Sequence, residues 1–448
     1  MIKDIQHRGM LFSECSLEGE HRADDVFPSH PNGTQVSHNR FLLVYATRSW
    51  RGTDDDRSIV AQLRADDYGG PVLHETMLCQ SRDDWDPLND GSRHVLQHGH
   101  PVVFGVPAGV QVAGQPAPSA GVFVIKWRRC ARRLDPKTGL MAPAIEGTGL
   151  HAKSMDVQWT QLRVRDDDTI EILQPVTLLR QVGYEASDAC CDHGLTTMNQ
   201  SFTQAVPVTE DGSEWADTNH FGGGKIAVLR YRFNVAKGLY EWVQTGPPIQ
   251  GPVGERIFEA SLCRYRDDWI VAARCAERQS VAWYRMSDLM DEAPAPILPD
   301  QPHNNAPLTV YVCPDGGLRL LGGDFDASPH RNGRDPLYIS DIDPDQGFEV
   351  TARRVVMDSF QEKIGIPPNQ MPRVEMAKLL PHTGGNRQTI VHRVRSKATN
   401  DPKKTGRAIT PEEKSVCSIY YAHVFYDQDY PAMWPIDATA CSPRGVLS

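Results

Sequence analysis

The 448-residue chain has no run approaching the roughly eighteen consecutive apolar residues that a membrane-spanning helix needs, and long amphipathic helical patterns are scarce. It has no surplus of positive charge. Lys and Arg number 47 against 57 Asp and Glu, a formal net charge of −10, which argues against nucleic-acid and anionic-membrane partners. Its ten cysteines include no CxxC and no Cys/His spacing of the zinc-site kind, and the one close pair is Cys190-Cys191. No metal and no cofactor is therefore expected, and the thiols read as buried and reduced. The opening MIKDIQHRGMLFSECSLEGEHR lacks the basic-then-apolar order of a secretory signal. A cytoplasmic location is expected on that ground, or an exported one if the chain is incomplete at this end.

What the sequence does have is short apolar runs bounded by Gly, Pro, Asn and Asp. Phe41-Leu42-Leu43-Val44-Tyr45-Ala46, Val122-Phe123-Val124-Ile125-Lys126-Trp127 and Ile226-Ala227-Val228-Leu229-Arg230-Tyr231 are three of them; Trp269-Ile270-Val271-Ala272-Ala273 and Leu318-Arg319-Leu320-Leu321 are two more. All are strand-length and rich in the branched and aromatic side chains that fit a pleated surface. Helix is expected only as short turns, around Ser287-Asp288-Leu289-Met290 for instance. A weak repeat runs through the chain: an apolar strand, a polar loop, and a second strand ending in charged or Ser/Asp residues. The segments Phe41–Arg64, Trp269–Asp288 and Leu318–Asp341 carry it best. Successive units begin roughly fifty to seventy residues apart. A strand pair of this kind cannot bury both faces alone, whereas sheets stacked radially can. The expected fold is all-β: a six-bladed β-propeller, with five blades as the alternative count, formed by residues 1–448 as one domain. A β-sandwich or two all-β domains is the competing architecture. The polar, basic stretch Ser396–Glu413 reads as an exposed loop between two late strands.

Three stretches put charged side chains at the ends of apolar strands, where a propeller would aim them at a central pocket. They are Ala46-Thr47-Arg48 with Asp54-Asp55-Asp56 following; Glu259 through Arg274; and Asn332-Gly333-Arg334 leading into Asp335-Pro336-Leu337-Tyr338-Ile339-Ser340. In this order and spacing the chain resembles the sialidase superfamily, the BNR-repeat propellers. Glu259, the turn Asp267-Asp268, Ala273-Arg274 and Ser280-Val281-Ala282 through Ser287-Asp288 follow the order of one blade of that family. Arg334 through Ser340 and Asp341 resemble the strand of its next blade, and the Asp54–Asp56 loop resembles the acid-bearing loop of its first.

The resemblance implies a glycoside hydrolase acting on an acidic sugar or glycan. Arg274 and Arg334, with Arg48 and Arg393 as further candidates, would hold a substrate carboxylate, for which the planar guanidinium fork is suited. Asp54, Asp55 or Asp56 would protonate the leaving oxygen, and Glu259 would act as base. The family's first substrate Arg precedes Ile-Pro; here the place reads Val26-Phe27-Pro28, with Arg22 and Arg48 the nearest substitutes. The family's nucleophilic Tyr precedes a strand like Met376-Ala377-Lys378-Leu379-Leu380, and here Arg373-Val374-Glu375 stands in front of it. The family's Ser-x-Asp-x-Gly-x-x-Trp turn survives only in outline, in Ser340 to Phe348. Two alternatives stay open: a uronate-polysaccharide lyase or hydrolase on the same scaffold, and a non-catalytic carbohydrate-binding propeller.

One motif has no counterpart in the family pattern. Gln97-His98-Gly99-His100-Pro101 opens an apolar strand, and His98 and His100, at i and i+2 in extended chain, would share a face as acid/base groups or metal ligands, with no third or fourth ligand nominated by spacing. Arg387, His392 and Arg393 lie in another strand-like run, and Asn199-Gln200 and Asn219-His220 are polar pairs beside aromatic residues.

Overall fold

A computed structural model describes residues 1–12, 27–48, 56–85, 94–107, 110–112, 115–116, 121–133, 156–181, 195, 198–200, 203–275, 280–299, 307–329, 333–362, 370–398 and 417–434. Six antiparallel sheets of up-and-down strands are arranged as the blades of a propeller, and Gln111–Val112 pairs with Gln115–Pro116 as a separate two-stranded ribbon. Blade 1 contains Phe27–Ser37, Arg40–Arg48, Asp56–Ala65 and Val72–Cys79, from the axis outward. Blade 2 contains His94–Val106, Val122–Arg133, Asp156–Val164 and Ile170–Leu178, with Arg82–Trp85 added beside its inner strand. In blade 3, Met198–Gln200 and Val206–Pro207 share the inner position beside Glu214–Phe221, followed by Lys225–Asn234 and Leu239–Thr245. Blade 4 has Ile257–Tyr265, Asp268–Cys275 and Val281–Met286, and a two-bond bridge from Ile297 to Trp283 covers its outer edge. Blade 5 is Thr309–Val312, Leu318–Gly323, Leu337–Asp343 and Glu349–Met357.

Blade 6 joins the two parts of the chain. Gln370–Leu379, Gly385–Ala398 and Cys417–Tyr430 come from the C-terminal part, and Ile2–Phe12 pairs with Cys417–Tyr430 as the outermost strand. The ring is thus closed by main-chain hydrogen bonds. The Met1 amino group adds a 2.6 Å contact to Asp427 Oδ1.

All five apolar runs singled out in the sequence are strands, and the three repeat units are the second and third strands of blades 1, 4 and 5. Their continuous apolarity has a simple cause: each blade is covered on both faces. Leu42, Val44, Ile59 and Ala61 of blade 1 pack on Phe123, Ile125 and Trp127 of blade 2. Between blades 2 and 3 lie Phe104, Trp159, Trp215 and Tyr231; between 4 and 5, Ile270, Trp283, Leu320 and Phe348. Residues 287–290 form bends and a turn rather than helix, with the Met290 amide donating to Asp288 Oδ1 at 2.8 Å. The degenerate turn of blade 5 keeps its physics. Asp343 Oδ1 accepts from the Asp345 amide at 2.9 Å, Gly347 sits at φ 68°, and Phe348 stacks on Trp283 at 4.7 Å. The expected loop at 396–413 falls mostly outside the described residues.

One blade interface contains a buried charge pair. Lys126 of blade 2 and Asp217 of blade 3 form an ion pair with both side chains essentially inaccessible. The Lys126 ammonium also donates to Tyr231 Oη at 2.9 Å, and Tyr231 donates to Asp217 at 3.1 Å. Removing one charge strands the other in a low-dielectric interface. Asp217→Asn is expected to cost about 3–5 kcal/mol by urea denaturation, and the double variant Lys126→Met, Asp217→Asn to recover most of it.

Candidate functional site

In an up-and-down sheet, first and third strands begin where second strands end. Across six blades this rule collects one set of residues at one end of the axis. The inner strands bring Ser29, His30, His100, Glu259 and Glu375; the second strands bring Arg48, His220, Arg274, Arg393 and Arg395. Arg334 arrives just ahead of the third strand of blade 5.

Four inner strands break register at this same level. The irregularities fall between Ser29 and Asn32, opposite Trp127 in blade 2, between Phe258 and Ser261, and between Glu375 and Lys378. Each puts a non-glycine residue in the left-handed region: His30 at φ 51°, His100 at 56°, Glu259 at 53° and Met376 at 58°. Such a conformation costs roughly 1–2 kcal/mol per residue, so something must hold it. In three of the bulges the next residue's carbonyl accepts from a neighbouring blade. Asn32 Nδ2 donates to Pro101 O at 3.2 Å, Thr203 and Thr218 to Ala260 O at 3.1 and 2.7 Å, and Thr309 to Ala377 O at 3.0 Å. Bulges of this kind re-aim side chains, here around the axis.

Two carboxylates organise the charges. Glu259 accepts from Arg274 Nη1 at 2.5 Å, and the Arg274 guanidinium lies 4.6 Å over the Phe258 ring. Glu375, with its side chain only 1% exposed, accepts from Arg334, Arg393 and Arg395, the last at 2.5 Å from Nε. Burial alone would push the Glu375 carboxyl up; the guanidiniums of Arg395, Arg393, Arg334 and Arg373 outweigh it and hold it well below the usual range. Arg373 feels the converse, lowered to about 10 by burial and by Arg334 and Arg395. Arg393 also donates to Ser29 Oγ at 2.7 Å and to His30 Nε2 at 3.0 Å. A guanidinium from blade 6 thus reaches the start of blade 1. Lys378, on the same inner strand as Glu375, is buried, and its ammonium is lowered to about 7 by burial against the opposing pull of Glu259.

Of the residues expected from sequence, Glu259, Arg274, Arg334, Arg393 and His100 come together at this end. His98 stands apart from it. It is fully buried between Cys79 Sγ, 3.4 Å from Nε2, and Trp127, whose indole N–H lies 3.3 Å from Nδ1. Burial, with Arg129 nearby, lowers its imidazole to about 4. The bulge at His100 is what separates the two histidines, since alternation fails where register breaks. Arg274 and Arg334 are not open clamps in this state, because each is paired with a carboxylate. Asp54 and Asp55 lie outside the described residues; Arg48 and Asp56 are placed as strand ends, and their side chains lie outside them. His392 packs away from the axis against Tyr420 and His7, its ring lowered to about 3 by burial and then by His7.

Sequence reading missed His30, Arg395 and the role of Glu375. Signals existed for two of them: His30-Pro31 repeats His100-Pro101, and Arg393-Val394-Arg395 places two guanidiniums on one strand face. Glu375 is paired in register with Arg393 only in the folded sheet.

A recess of about 370 Å³ opens at this same end, lined by His220, Gly223, Arg256 and Phe258. Farther along the inner strands is an apolar cavity of about 410 Å³, to which Gly33, Val103, Ala205, Leu262, Val310 and Leu379 contribute one residue from each blade.

Fold and layout define a six-bladed, sialidase-like propeller with a guanidinium-rich axial end. No protein-family model matches the chain, and no curated protein matches it in sequence. Among solved structures it is similar to Trypanosoma rangeli sialidase, at 9% identity and TM-score 0.53 over 88% of this chain and 54% of that one. A NanB structure with optactamide aligns at 10% identity and TM-score 0.53 over 89% of this chain and 68% of that one. The Hadza microbial sialidase Hz136 aligns at 11% and TM-score 0.50, over 81% and 63%. The Trypanosoma rangeli enzyme has also been solved with sialic acid. The chain spans about half the length of that sialidase. At these identities the likeness establishes the fold.

The charge layout makes two stability predictions. Glu375→Gln leaves three guanidiniums facing one another and is expected to cost about 3–5 kcal/mol in urea denaturation. Lys378 has a folded-state value of about 7 against 10.5 for the free side chain, so between these pH values the unfolded chain holds a proton that the folded chain has released. Stability should therefore rise with pH across that window, and Lys378→Met should remove this contribution to the rise when urea midpoints at pH 7 and pH 10 are compared.

Proposed function

We propose that the chain is a glycoside hydrolase acting on an acidic sugar or glycan, with its site at the guanidinium-rich end of the axis. The observation that carries this reading is local charge. In a chain of net charge −10, four guanidiniums at this end (Arg334, Arg373, Arg393 and Arg395) act on the single carboxylate of Glu375, and a fifth, Arg274, pairs with Glu259. Arg334 and Arg274 keep more of their side chains exposed (22% and 11%) than Arg393 at 2%, so these two would meet the ligand carboxylate while Arg393 braces the array. The Trypanosoma rangeli sialidase, similar in fold, is solved in complex with sialic acid, an acidic sugar.

Glu259, paired with Arg274, would serve as the base. Glu375 is too buried to meet a substrate. A single displacement follows for the chemistry: water attacks the anomeric carbon and gives its proton to Glu259, while the C–O bond breaks and the leaving oxygen takes a proton from an acid. Asp54, Asp55 or Asp56 is one source of that acid. This route inverts the anomeric centre.

The test is a panel of aryl sialosides, aryl uronides and acidic polysaccharides, with wild type, Glu259→Gln and Arg274→Ala. Turnover of an acidic glycoside is expected, with Glu259→Gln lowering kcat about 10²–10⁴-fold and Arg274→Ala acting chiefly on KM. Proton NMR of the first-formed product should give the inverted anomer. Unsaturated products from uronate polymers would move the assignment to a lyase, and glycan binding without turnover would overturn the enzyme reading.

A further inference from the structure

The hydrolase reading leaves the His-Pro motif unexplained. His30 and His100 come from the inner strands of adjacent blades, each at a left-handed bulge position and each followed by proline. Their ring centroids lie 3.9 Å apart at an interplanar angle of 49°. A continuous line of contacts ties them to the charged array: Glu375 accepts from Arg393, Arg393 donates to His30 Nε2, and His30 packs on His100. The rings therefore belong to the same axial end as Glu259 and Arg274.

The hydrogen bonds differentiate the two rings. A guanidinium can only donate, so His30 Nε2 must be the acceptor of the 3.0 Å bond from Arg393. Its proton then sits on Nδ1, which lies 3.0 Å from Ser29 Oγ. His30 is locked as a neutral ring with both nitrogens committed, and it cannot cycle a proton without breaking the Arg393 contact. It also places no second positive charge beside His100. Two neighbouring imidazolium rings at this distance would repel, and a neutral His30 avoids that repulsion.

Resting on the hydrolase reading, we infer that His100 is the catalytic acid of this site and that His30, fixed by Arg393 and Ser29, is its positioning residue. His100 as imidazolium gives its proton to the glycosidic oxygen as the C–O bond breaks. Water attacks the anomeric carbon and passes its own proton to Glu259. Exchange of these protons with solvent restores the imidazolium and the carboxylate, and the sum is sugar-O-R plus water giving sugar-OH plus R-OH.

Leaving-group dependence separates an acid from a structural side chain. A sugar leaving group needs a proton, whereas a nitrophenolate departs without one. His100→Gln, which keeps a polar side chain in place, is compared with wild type on a disaccharide and on the nitrophenyl glycoside of the same acidic sugar. Loss of about 10²–10⁴-fold in kcat on the disaccharide, with little loss on the nitrophenyl substrate, is the expected result. His100→Ala should regain turnover of the disaccharide with added imidazole. His30→Gln should lower kcat with KM little changed and displace the pH profile of kcat. Equal losses on both substrates, or no loss, would overturn the role of His100 alone. So would the leaving-group pattern appearing instead in the Asp54→Asn, Asp55→Asn, Asp56→Asn triple variant. Wild-type inactivity on every acidic glycoside would remove the hydrolase reading and this role together.

Discussion

Burial of both faces of every blade is the constraint on which the rest of this structure depends. A sheet with one wet face can distribute polar side chains along its strands. A propeller blade cannot, because each face is sealed by the next blade, as Leu42, Val44 and Ile59 are by Phe123, Ile125 and Trp127. Polar groups that remain between blades must be matched there, as Lys126, Asp217 and Tyr231 are. Unmatched charge is driven to the ends of the strands, and the alternation of strand direction gathers those ends around the axis. The guanidinium-rich end is in that sense a consequence of the packing.

The bulges convert this gathering into an arrangement. Regular strands would present alternate residues to one blade interface or the other. A left-handed residue at the same level of four inner strands interrupts that alternation and reorients His30, His100, Glu259 and Met376. The strain is held by hydrogen bonds from neighbouring blades to Pro101, Ala260 and Ala377, so site geometry and ring assembly are coupled. The Glu375 cluster works alongside. One buried carboxylate fixes guanidiniums from blades 5 and 6, and Arg393 carries the connection on to blade 1.

Much of the fold was legible in the chain because a doubly buried strand has a plain signature: four to six apolar residues in a row, rich in branched and aromatic side chains. Phe41–Ala46 and Trp269–Ala273 could be read that way with no partner in view. The order Glu259 to Arg274 was legible too, because the two residues lie on consecutive strands joined by a tight turn at Asp267-Asp268. The misreadings came where register or distance decided. His98 and His100 were paired by alternation, which the bulge at His100 cancels. Arg393 and Ser29 are 364 positions apart and meet only because the ring closes. Glu375 looked like the mere absence of a tyrosine until three guanidiniums converged on it.

By itself, then, the sequence determined the strands, the all-β class, the blade repeat, and the order of Glu259 and Arg274 on consecutive strands. These depend on side-chain pattern over a few residues or on neighbouring strands. Tertiary structure decided how many blades close the ring, which end of the axis holds the charge, which arginines share Glu375, and that His30 rather than His98 lies against His100. Those outcomes are set by contacts between blades and by backbone bulges, whose energies arise only when distant segments meet.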